Sequence, residues 1–216
     1  MEARLERALA PDGLSDLTDS ERLELVLRAT NEGLWEWDPA TNEVRFSPRW
    51  KEIIGYAADE LPDHFTEWEQ RVHPDDLALA WAAIRGYLAG ENPIYEVEYR
   101  LRHKDGSYRW IRARGVASWD AAGRPIRLVG SHADITERKR TAADLLQRDA
   151  IFQAVTFAAE RLLRTTNWEE AVHEVLGRLG RAADVSRVYV FENYTGVDGE
   201  VRTSQRWEWV TQGIPA

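Results

Sequence analysis

The segment 93–137 alternates apolar and charged side chains in successive runs, and this alternation constrains the possible fold more than any other stretch. Its first run, from Tyr95 to Leu101, has the two-residue period of a strand with one buried face. An Asp-Gly pair at 105–106 is typical of a hairpin turn, and Pro125 opens a third run after a second turn. The sequence therefore predicts three consecutive antiparallel strands.

The length of the first turn decides which residues of the hairpin oppose each other. A two-residue loop would place arginines on the face that should be buried. A three-residue loop, with a bulge and a left-handed Gly106, instead opposes Leu101 to Ile111. In that register Tyr99 faces Ala113. We predict this bulged arrangement, which leaves four arginines facing solvent: Arg100, Arg102, Arg112 and Arg114.

One face of these strands combines large apolar residues, small residues and a single titratable group. Small side chains on an inner face leave space for a helix, a tryptophan or a ligand. Two tryptophans on an earlier strand project toward the same space and would fill part of it. The candidate pocket residues are Trp35, Trp37, Tyr99, Leu101, Ile111, Ala113, Leu128, Gly130 and His132.

The composition excludes several classes of function. A formal charge of −9, with both signs interspersed, argues against binding to nucleic acid. The absence of cysteine removes disulfides, thiolate metal sites and cysteine–flavin photochemistry. The apolar runs are too short to span a bilayer, so we expect a cytoplasmic piece without membrane contact.

Helix starts are marked by capping residues at three places. Thr18 and Glu21 have the spacing of a capping box. Ser47 stands before Pro48, and His73 also precedes a proline, so each is placed to cap a helix whose first turn contains that proline. Residues 34–37 and 43–46 read as two strands. We therefore expect an α+β fold whose helices lie between the second and third of five antiparallel strands.

Several motifs in this order resemble the PAS family. They are GLWEWDPATNEVRFSPRWKEIIGY, the HPDD start of a helix, EYRLRHKDGSYRWIRARG and GSHADITERKR, and together they cover about residues 21–140. The resemblance implies a five-stranded antiparallel sheet with helices cupped on one face, used as a sensory or dimerisation module. Members differ in their bound ligand and many show none, so we assign no cofactor.

Asp134, Ile135 and Thr136 match the family's junction between the last strand and a signalling helix. The resemblance implies that these residues relay the signal. Asp134 can accept a hydrogen bond at the end of the strand, and Thr136 can cap a helix that begins at Glu137.

Residues 137–164 contain neither proline nor glycine and form a predicted linker helix. On this helix Leu145, Phe152 and Ala159 recur every seven residues and mark a seam. Two interpretations remain open. The seam pairs with a second copy as a parallel coiled coil, which makes a homodimer, or it packs on its own domain.

The C-terminal residues resemble the opening half of a GAF domain. The order helix, helix, strand, strand, with SRVYVFEN and SQRWEWV, covers about residues 151–216. Thr166 and Glu169 have the spacing of a capping box. We expect a truncated fragment with four parts: a leader at 1–19, a PAS domain at 20–136, the linker at 137–164 and a partial GAF-like domain at 151–216.

Catalytic and metal-binding motifs are absent from the sequence, so we expect this piece not to be an enzyme. In flavin-binding members of the family, a ligand-facing side chain projects from a place similar to that of His132. His132 can therefore contact a ligand or ligate haem iron. The alternative is a core histidine bonded to a neighbour such as a tyrosine.

Three functions follow from these expectations. In the first, the fragment relays a ligand or partner signal through residues 134–136 to an output domain outside this chain, in a histidine kinase or a diguanylate cyclase. In the second, it is a ligand-free dimerisation and spacer module. The third is a haem-based gas sensor.

Overall fold

The structure is a computed structural model that describes residues 18–213, except for the side chains at 19, 20, 23, 24, 27 and 28. The predicted leader at 1–19 therefore lies almost wholly outside the described residues. The chain divides after Glu137 into two compact units. The finer boundaries at 137–164 and 151–216 stay predictions.

Strands and helices follow each other through residues 18–213 in the expected order. The first unit holds α1 (Asp19–Thr30), β1 (Gly33–Trp37), β2 (Val44–Phe46), α2 (Pro48–Ile53), α3 (Phe65–Glu69), α4 (Pro74–Leu88), β3 (Tyr95–Arg102), β4 (Tyr108–Trp119) and β5 (Pro125–Asp134). Helix α5 (Thr136–Arg164) continues into the second unit, which adds α6 (Trp168–Ala183), β6 (Arg187–Thr195) and β7 (Val201–Val210).

The first five strands form one antiparallel sheet in the order β2-β1-β5-β4-β3. After β2 the chain leaves the sheet through α2 to α4, and it returns with β3 at the opposite edge. The last strand, β5, then fills the centre between β1 and β4. Trp35 faces Gly130 across the β1–β5 pair. The predicted α+β class with a five-stranded antiparallel sheet is confirmed.

The predicted register of the β3–β4 hairpin is wrong by two residues. Tyr99 faces Ile111, and Val97 faces Ala113. A shift of two residues keeps every side chain on its predicted face, because side chains alternate with a period of two. The arginines accordingly lie on the outer face. Arg102 and Arg114 are exposed there, whereas Arg100 and Arg112 are part-buried.

The position of Gly106 in the loop accounts for this shift. The loop consists of residues 104–106 and is closed by the His103 N–H, which donates to the carbonyl of Ser107 at 2.8 Å. Gly106 is left-handed as expected, with a φ of 86°. It is the last residue of the three-residue loop, the position at which a type I turn needs a left-handed residue.

Helix α1 begins with the predicted capping box. The Thr18 hydroxyl accepts the N–H of Glu21 at 3.2 Å, and the Glu21 carboxylate accepts the N–H of Thr18 at 2.8 Å. The helix ends at the left-handed Asn31. Gly33 then opens β1, where an added Cβ would lie 2.4 Å from the Cα of Trp50. Only glycine lets β1 approach α2 this closely.

The predicted caps of α2 and α4 are confirmed. The Ser47 hydroxyl accepts the N–H of Trp50 at 3.2 Å and that of Leu34 at 2.8 Å, so the same oxygen ties α2 to β1. The Nδ1 atom of His73 accepts the N–H of Asp75 at 3.2 Å. Both helices therefore start at positions that local sequence dictates.

An ion pair that sequence reasoning missed joins α4 to β3. The Asp76 carboxylate accepts two hydrogen bonds from the guanidinium of Arg100, each at 2.8 Å, and one from the Arg100 backbone N–H at 2.9 Å. The hydrogen bonds from Arg100 hold the pKa of Asp76 below its usual range. The start of α4 is thus fastened to β3, at the edge of the sheet.

Lys51 is a buried charged side chain in the first unit. Lys51, on α2, donates through Nζ to the carbonyl oxygens of Ala58 at 3.0 Å and Leu61 at 2.7 Å. The same Nζ lies 2.9 Å from Asp63. Three partners match the three donors of an ammonium group, so Lys51 fastens the loop between α2 and α3.

In the second unit, α5 and α6 pack against each other through a face of α5 that contains the buried Ala154. Arg178 lies over the ring of Phe157 at 4.2 Å, and Arg161 pairs with Glu174 at 2.9 Å. The hairpin β6–β7 covers α6, with Trp209 against Gly180. The resemblance of this unit to a GAF domain stays a prediction.

The predicted capping box at the start of α6 is wrong. Asn167 occupies the capping position without a side-chain hydrogen bond, and the hydroxyl of Thr165 accepts the N–H of Asn167 at 3.1 Å. Local turn formation by a threonine competes here with the capping box. Within residues 18–213, no helix has the length and apolar content needed to cross a bilayer.

Candidate functional site

A cavity of about 30 Å³ lies between the inner face of the sheet and the helices α3 and α4. A cavity of this size accommodates roughly two water-sized spheres. Its walls come from β1, β2, β3, β5, α3 and α4. The lining residues are Trp35, Trp37, Val44, Phe46, Phe65, Trp68, Ile84, Tyr95, Tyr99, Leu128 and His132.

The candidate pocket residues divide into two groups. Five of them line the cavity: Trp35, Trp37, Tyr99, Leu128 and His132. The other four do not: Leu101, Ile111 and Ala113 are buried in the same core cluster, and Gly130 lies under an indole ring. The inner face of the sheet was correctly identified, but the part of it that these four residues form is packed rather than open.

Trp35 explains why the small residues of the sheet do not enlarge the cavity. A Cβ added to Gly130 would lie 2.3 Å from the Cζ2 atom of Trp35, and one added to Gly115 would lie 2.9 Å from its Cη2 atom. The two glycines pair with each other across β4 and β5. The indole of Trp35 packs directly on both glycines and occupies the space that a side chain would take at these positions.

Aromatic rings fill most of the remaining volume. Phe65 lies 4.9 Å from Trp37 and 5.1 Å from Trp68, measured between ring centroids. Trp81 packs edge-on to Trp37 at 6.5 Å. These rings come from β1, α3 and α4, so the helices close the cavity with aromatic edges and faces.

His132 stands at the centre of a buried hydrogen-bond network. Its Nδ1 atom accepts the indole N–H of Trp50 at 2.7 Å, and its Nε2 atom lies 2.9 Å from the hydroxyl oxygen of Tyr99. The indole N–H of Trp68 also donates to that hydroxyl oxygen, at 2.8 Å. The network therefore joins α2, β5, β3 and α3.

The donors in this network determine the tautomer of His132. An indole nitrogen only donates, so Nδ1 must offer its lone pair to Trp50. The neutral ring then carries its proton on Nε2, which donates to Tyr99. Burial lowers the pKa of His132 to about 3 and raises the pKa of Tyr99, so both side chains are uncharged near neutral pH.

This geometry does not fit haem. Iron ligation needs a free imidazole lone pair, and the lone pair of His132 is already engaged by Trp50. A porphyrin also greatly exceeds a cavity of about 30 Å³. Across residues 18–213, no three side chains of the kinds that bind metals come together. The core-histidine interpretation with a tyrosine partner describes His132.

The predicted relay residues join β5 to α5: Asp134 accepts a hydrogen bond at the end of the strand as expected, whereas Thr136 does not cap its own helix. The Asp134 carboxylate accepts the N–H of Thr136, the first residue of the helix, at 2.8 Å. The Thr136 hydroxyl instead accepts the N–H of Trp110 on β4, at 2.9 Å. The N–H of the buried Ile135 donates to the carbonyl of Trp110 at 2.8 Å. The helix start is thus anchored to the sheet at consecutive residues.

The predicted seam of α5 lies on the surface of the described chain. Leu145 and Phe152 are 68% and 71% exposed, and Ala159 is also exposed. The side of α5 that packs on α6 is a different one and contains Ala154 and Phe157. Among residues 18–213, the seam is therefore not buried against other parts of the chain.

Sequence reasoning missed the part of the site that the helices supply. Phe65, Trp68 and Ile84 line the cavity, and Trp50 bonds His132. For Phe65, Trp68 and Trp50, aromatic character in short helices was the available signal. It shows that a residue is buried but not which strand it faces.

Comparison with known proteins shows which family the first unit resembles. Residues 43–132 match the sequence profile of the PAS fold family. Over 104 residues the chain is 38% identical to the methanogenesis regulatory histidine kinase FilI of Methanothrix harundinacea, a match that covers 48% of this chain and 12% of that protein. It is 26% identical over 189 residues to a blue-light-activated histidine kinase of Brucella anthropi, covering 82% and 37% of the two chains.

A solved structure agrees with these matches. The sensory box histidine kinase/response regulator of Burkholderia thailandensis is 43% identical, with a TM-score of 0.53, over 58% of this chain and 92% of that chain. By contrast, the chain spans only 12% and 37% of the two kinases named above.

Proposed function

Because the chain belongs to the PAS family, whose profile matches residues 43–132, we propose that it is the sensory input part of a longer signal-transduction protein. A ligand or partner acts on the cavity. The change passes through residues 134–136 and α5 to an output domain outside this chain. The similarity to histidine kinases supports a kinase as the output, and a diguanylate cyclase is the alternative.

The observation that carries this proposal is the short path from the cavity to α5. His132 lines the cavity, and Thr136, the first residue of the helix, follows four residues later. The hydrogen bonds of Ile135 and Thr136 to Trp110 fasten the helix start to β4, the strand that pairs with β5. A ligand shifts such an equilibrium only by binding the two arrangements with different affinity.

We place the enzymatic activity of the parent protein outside these residues. The family match covers a sensory domain, and the similar kinases are much longer than this chain. One similar kinase is described as blue-light-activated, but the sequence of this chain contains no cysteine, so cysteine–flavin photochemistry is not part of the proposal.

Hydrogen exchange in the Tyr99→Phe variant tests the path. Loss of the hydroxyl frees His132 and Trp68, and we expect faster amide exchange at 136–142, measured by mass spectrometry on the whole chain. Tyr189→Phe on β6 is the control, and peptides of α2 report global stability. Unchanged exchange at 136–142, with loosened cavity strands, would contradict the proposal.

A ligand-free dimerisation module is the second candidate, and two observations favour it. The aromatic rings leave only about 30 Å³, and the seam containing Leu145 and Phe152 is exposed. In this proposal the seam pairs with that of a second copy, as a parallel coiled coil.

Disulfide crosslinking tests this pairing directly because the native chain has no cysteine. Leu145→Cys lies on the seam and is expected to crosslink under mild oxidation. Asp144→Cys, one residue away on another side of α5, is the matched control. A chain that stays monomeric in analytical ultracentrifugation, with no crosslink at 145, rules the second candidate out.

A further inference from the structure

Two neighbouring side chains on the outer face of the sheet lie between the start of α4 and the start of α5. Arg100 on β3 faces Trp110 on β4. The guanidinium carbon of Arg100 lies 5.6 Å from the centre of the Trp110 ring, which is within the range of a cation–π contact. A guanidinium suits this contact because it is flat and weakly hydrated, and so lies well on an indole.

Both backbone groups of Arg100 bond to the beginning of α4. The Arg100 carbonyl accepts the N–H of His73 at 2.8 Å, and the Arg100 N–H donates to the Asp76 carboxylate at 2.9 Å. The guanidinium adds two hydrogen bonds to the same carboxylate. His73 caps α4 and Asp76 lies in its first turn, so the position of Arg100 is tied to that of the helix.

Both backbone groups of Trp110 bond in the same way to the beginning of α5. The Trp110 N–H donates to the hydroxyl of Thr136 at 2.9 Å, and the Trp110 carbonyl accepts the N–H of Ile135 at 2.8 Å. Ile135 and Thr136 are both buried, and α5 begins at Thr136. A displacement of Trp110 therefore acts on the first residues of α5.

The backbone bonds of Arg100 and Trp110 point away from each other, toward α4 and toward the end of β5. Residues arranged in this way form a non-hydrogen-bonded pair of an antiparallel ladder, whose side chains lie close together. The direct contact between the two residues is therefore made by the guanidinium and the indole. Helix α4 also supplies Ile84 to the cavity wall, so this contact links a helix that closes the cavity to α5.

We propose that Arg100 is a positioning residue that couples the first turn of α4 to the first residues of α5 through the indole of Trp110. This inference rests on the proposed sensory function and adds a second path to it. The first path follows β5 from the cavity, whereas the second crosses the outer face of β3 and β4. A shift of α4 moves the guanidinium on the indole, and the backbone of Trp110 passes the change to Thr136.

Amide exchange at 136–142 in a double-mutant cycle tests this coupling on the whole chain. Asp76→Ala releases the guanidinium, and we expect about two- to fivefold faster exchange, the effect of one cation–π contact at a partly exposed site. Trp110→Leu removes the ring but keeps the backbone groups that hold residues 135 and 136. In that background, Asp76→Ala is expected to add no further acceleration.

Matched variants separate the coupling from a general loss of stability. Asp75→Ala removes the more exposed neighbour of Asp76 and is expected to leave exchange at 136–142 unchanged. Trp110→Phe keeps an aromatic face for the guanidinium, so in that background we expect Asp76→Ala to accelerate exchange again. Peptides of α2 report global unfolding in every variant.

Arg100→Lys tests the contact without altering the ring. Lysine keeps the positive charge but lacks the flat fork that bonds a carboxylate at two positions and lies on an indole. We expect the same acceleration at 136–142 as in Asp76→Ala. Unchanged exchange in Arg100→Lys, or an equal effect of Asp76→Ala with and without the Trp110 ring, overturns the inference.

The proposed function has a separate readout. If Tyr99→Phe changes exchange at 136–142 and Asp76→Ala does not, the path along β5 stands and the coupling by Arg100 fails. If Asp76→Ala acts through the Trp110 ring and Tyr99→Phe has no effect, the coupling stands and the path along β5 fails.

Discussion

The imidazole of His132 bridges Trp50 and Tyr99, with its two nitrogens 2.7 Å from the indole nitrogen and 2.9 Å from the phenol oxygen. One residue thus connects a helix to two strands of the sheet through directed hydrogen bonds. The bridge requires the neutral ring, because a protonated Nδ1 would point its hydrogen at the N–H of Trp50. His132 therefore links helix α2 to strands β3 and β5.

This bridge predicts a loss of stability in mild acid. The pKa of His132 is about 3 in the folded state and 6.5 in the reference state, so the unfolded chain binds a proton more readily between these values. The contribution of the neutral ring is complete above pH 6.5 and falls by about 1.4 kcal/mol for each pH unit below it. Urea titrations at pH 7.5 and pH 5 measure the change.

His132→Gln is the control for this pH dependence. The variant is less stable at pH 7.5, but its free energy of unfolding is expected to change little between pH 7.5 and pH 5. An equal loss in the variant and the native chain would assign the acid sensitivity to other groups.

Gly130 and Gly115 are predicted to respond to alanine in a graded way. At Gly130 the new Cβ would lie 2.1 Å from the carbonyl oxygen of Arg114 and 2.3 Å from Trp35. At Gly115 the closest atom would be 2.9 Å away. Overpacking typically lowers the free energy of unfolding by about 1–3 kcal/mol. We expect the loss for Gly130→Ala to lie at or above the upper end of this range and the loss for Gly115→Ala to lie near its lower end. Thermal unfolding compares them, and a reversed order would contradict the packing of Trp35 on this pair.

Asp76 and Asp75 are neighbours that should differ sharply in their effect on stability. Asp76 accepts three hydrogen bonds from Arg100, whereas the side chain of Asp75 is 74% exposed and lies 3.4 Å from the same guanidinium. We expect Asp76→Ala to lower the free energy of unfolding by about 2 kcal/mol and Asp75→Ala to have little effect. The pKa of Asp76 is lowered, so its contribution is present above the reference value of 3.8 and is lost as the pH falls below it. Similar losses for both variants in urea titrations would count against the Arg100 contact.

Lys51 is predicted to be a structural lysine. Replacement by methionine gives a side chain of similar length but leaves the carbonyl oxygens of Ala58 and Leu61 without their donor. We expect a loss of about 1–3 kcal/mol and faster proteolysis of the loop between α2 and α3. Lys104→Met is the control, because Lys104 pairs with Glu60 on the surface and its side chain is 47% exposed. Equal stability of the two variants would show that the buried contacts of Lys51 contribute little.

Local patterns in the sequence predicted much of the fold. The alternation around Tyr99 predicted β3, and the hydroxyl of Ser47 and the ring of His73 cap helices where they were expected to. These features depend on residues within a few positions of each other, so their physics is contained in the local sequence. The uninterrupted helix from 136 to 164 is of the same kind.

Contacts between distant segments could not be predicted in this way. Gly106 was expected to be left-handed, yet its place in the loop, and so the register of β3 and β4, came out two residues away. Thr136 was expected to cap its own helix, but its hydroxyl bonds to Trp110 on another strand. In each case two local arrangements were compatible with the sequence, and for Thr136 a distant partner decided between them.

The chain's periodicity and capping residues already specify a five-stranded sheet with helices between its halves and a histidine on the inner face. Only the tertiary structure decides what that histidine meets and how much space remains, because Trp50 bonds to it, and Trp68 bonds to its partner Tyr99, from helices distant in sequence. Packing of large rings depends on three-dimensional complementarity, which a one-dimensional pattern does not contain. That the buried indole N–H of Trp35 has no partner among the described residues likewise becomes visible only in the tertiary structure.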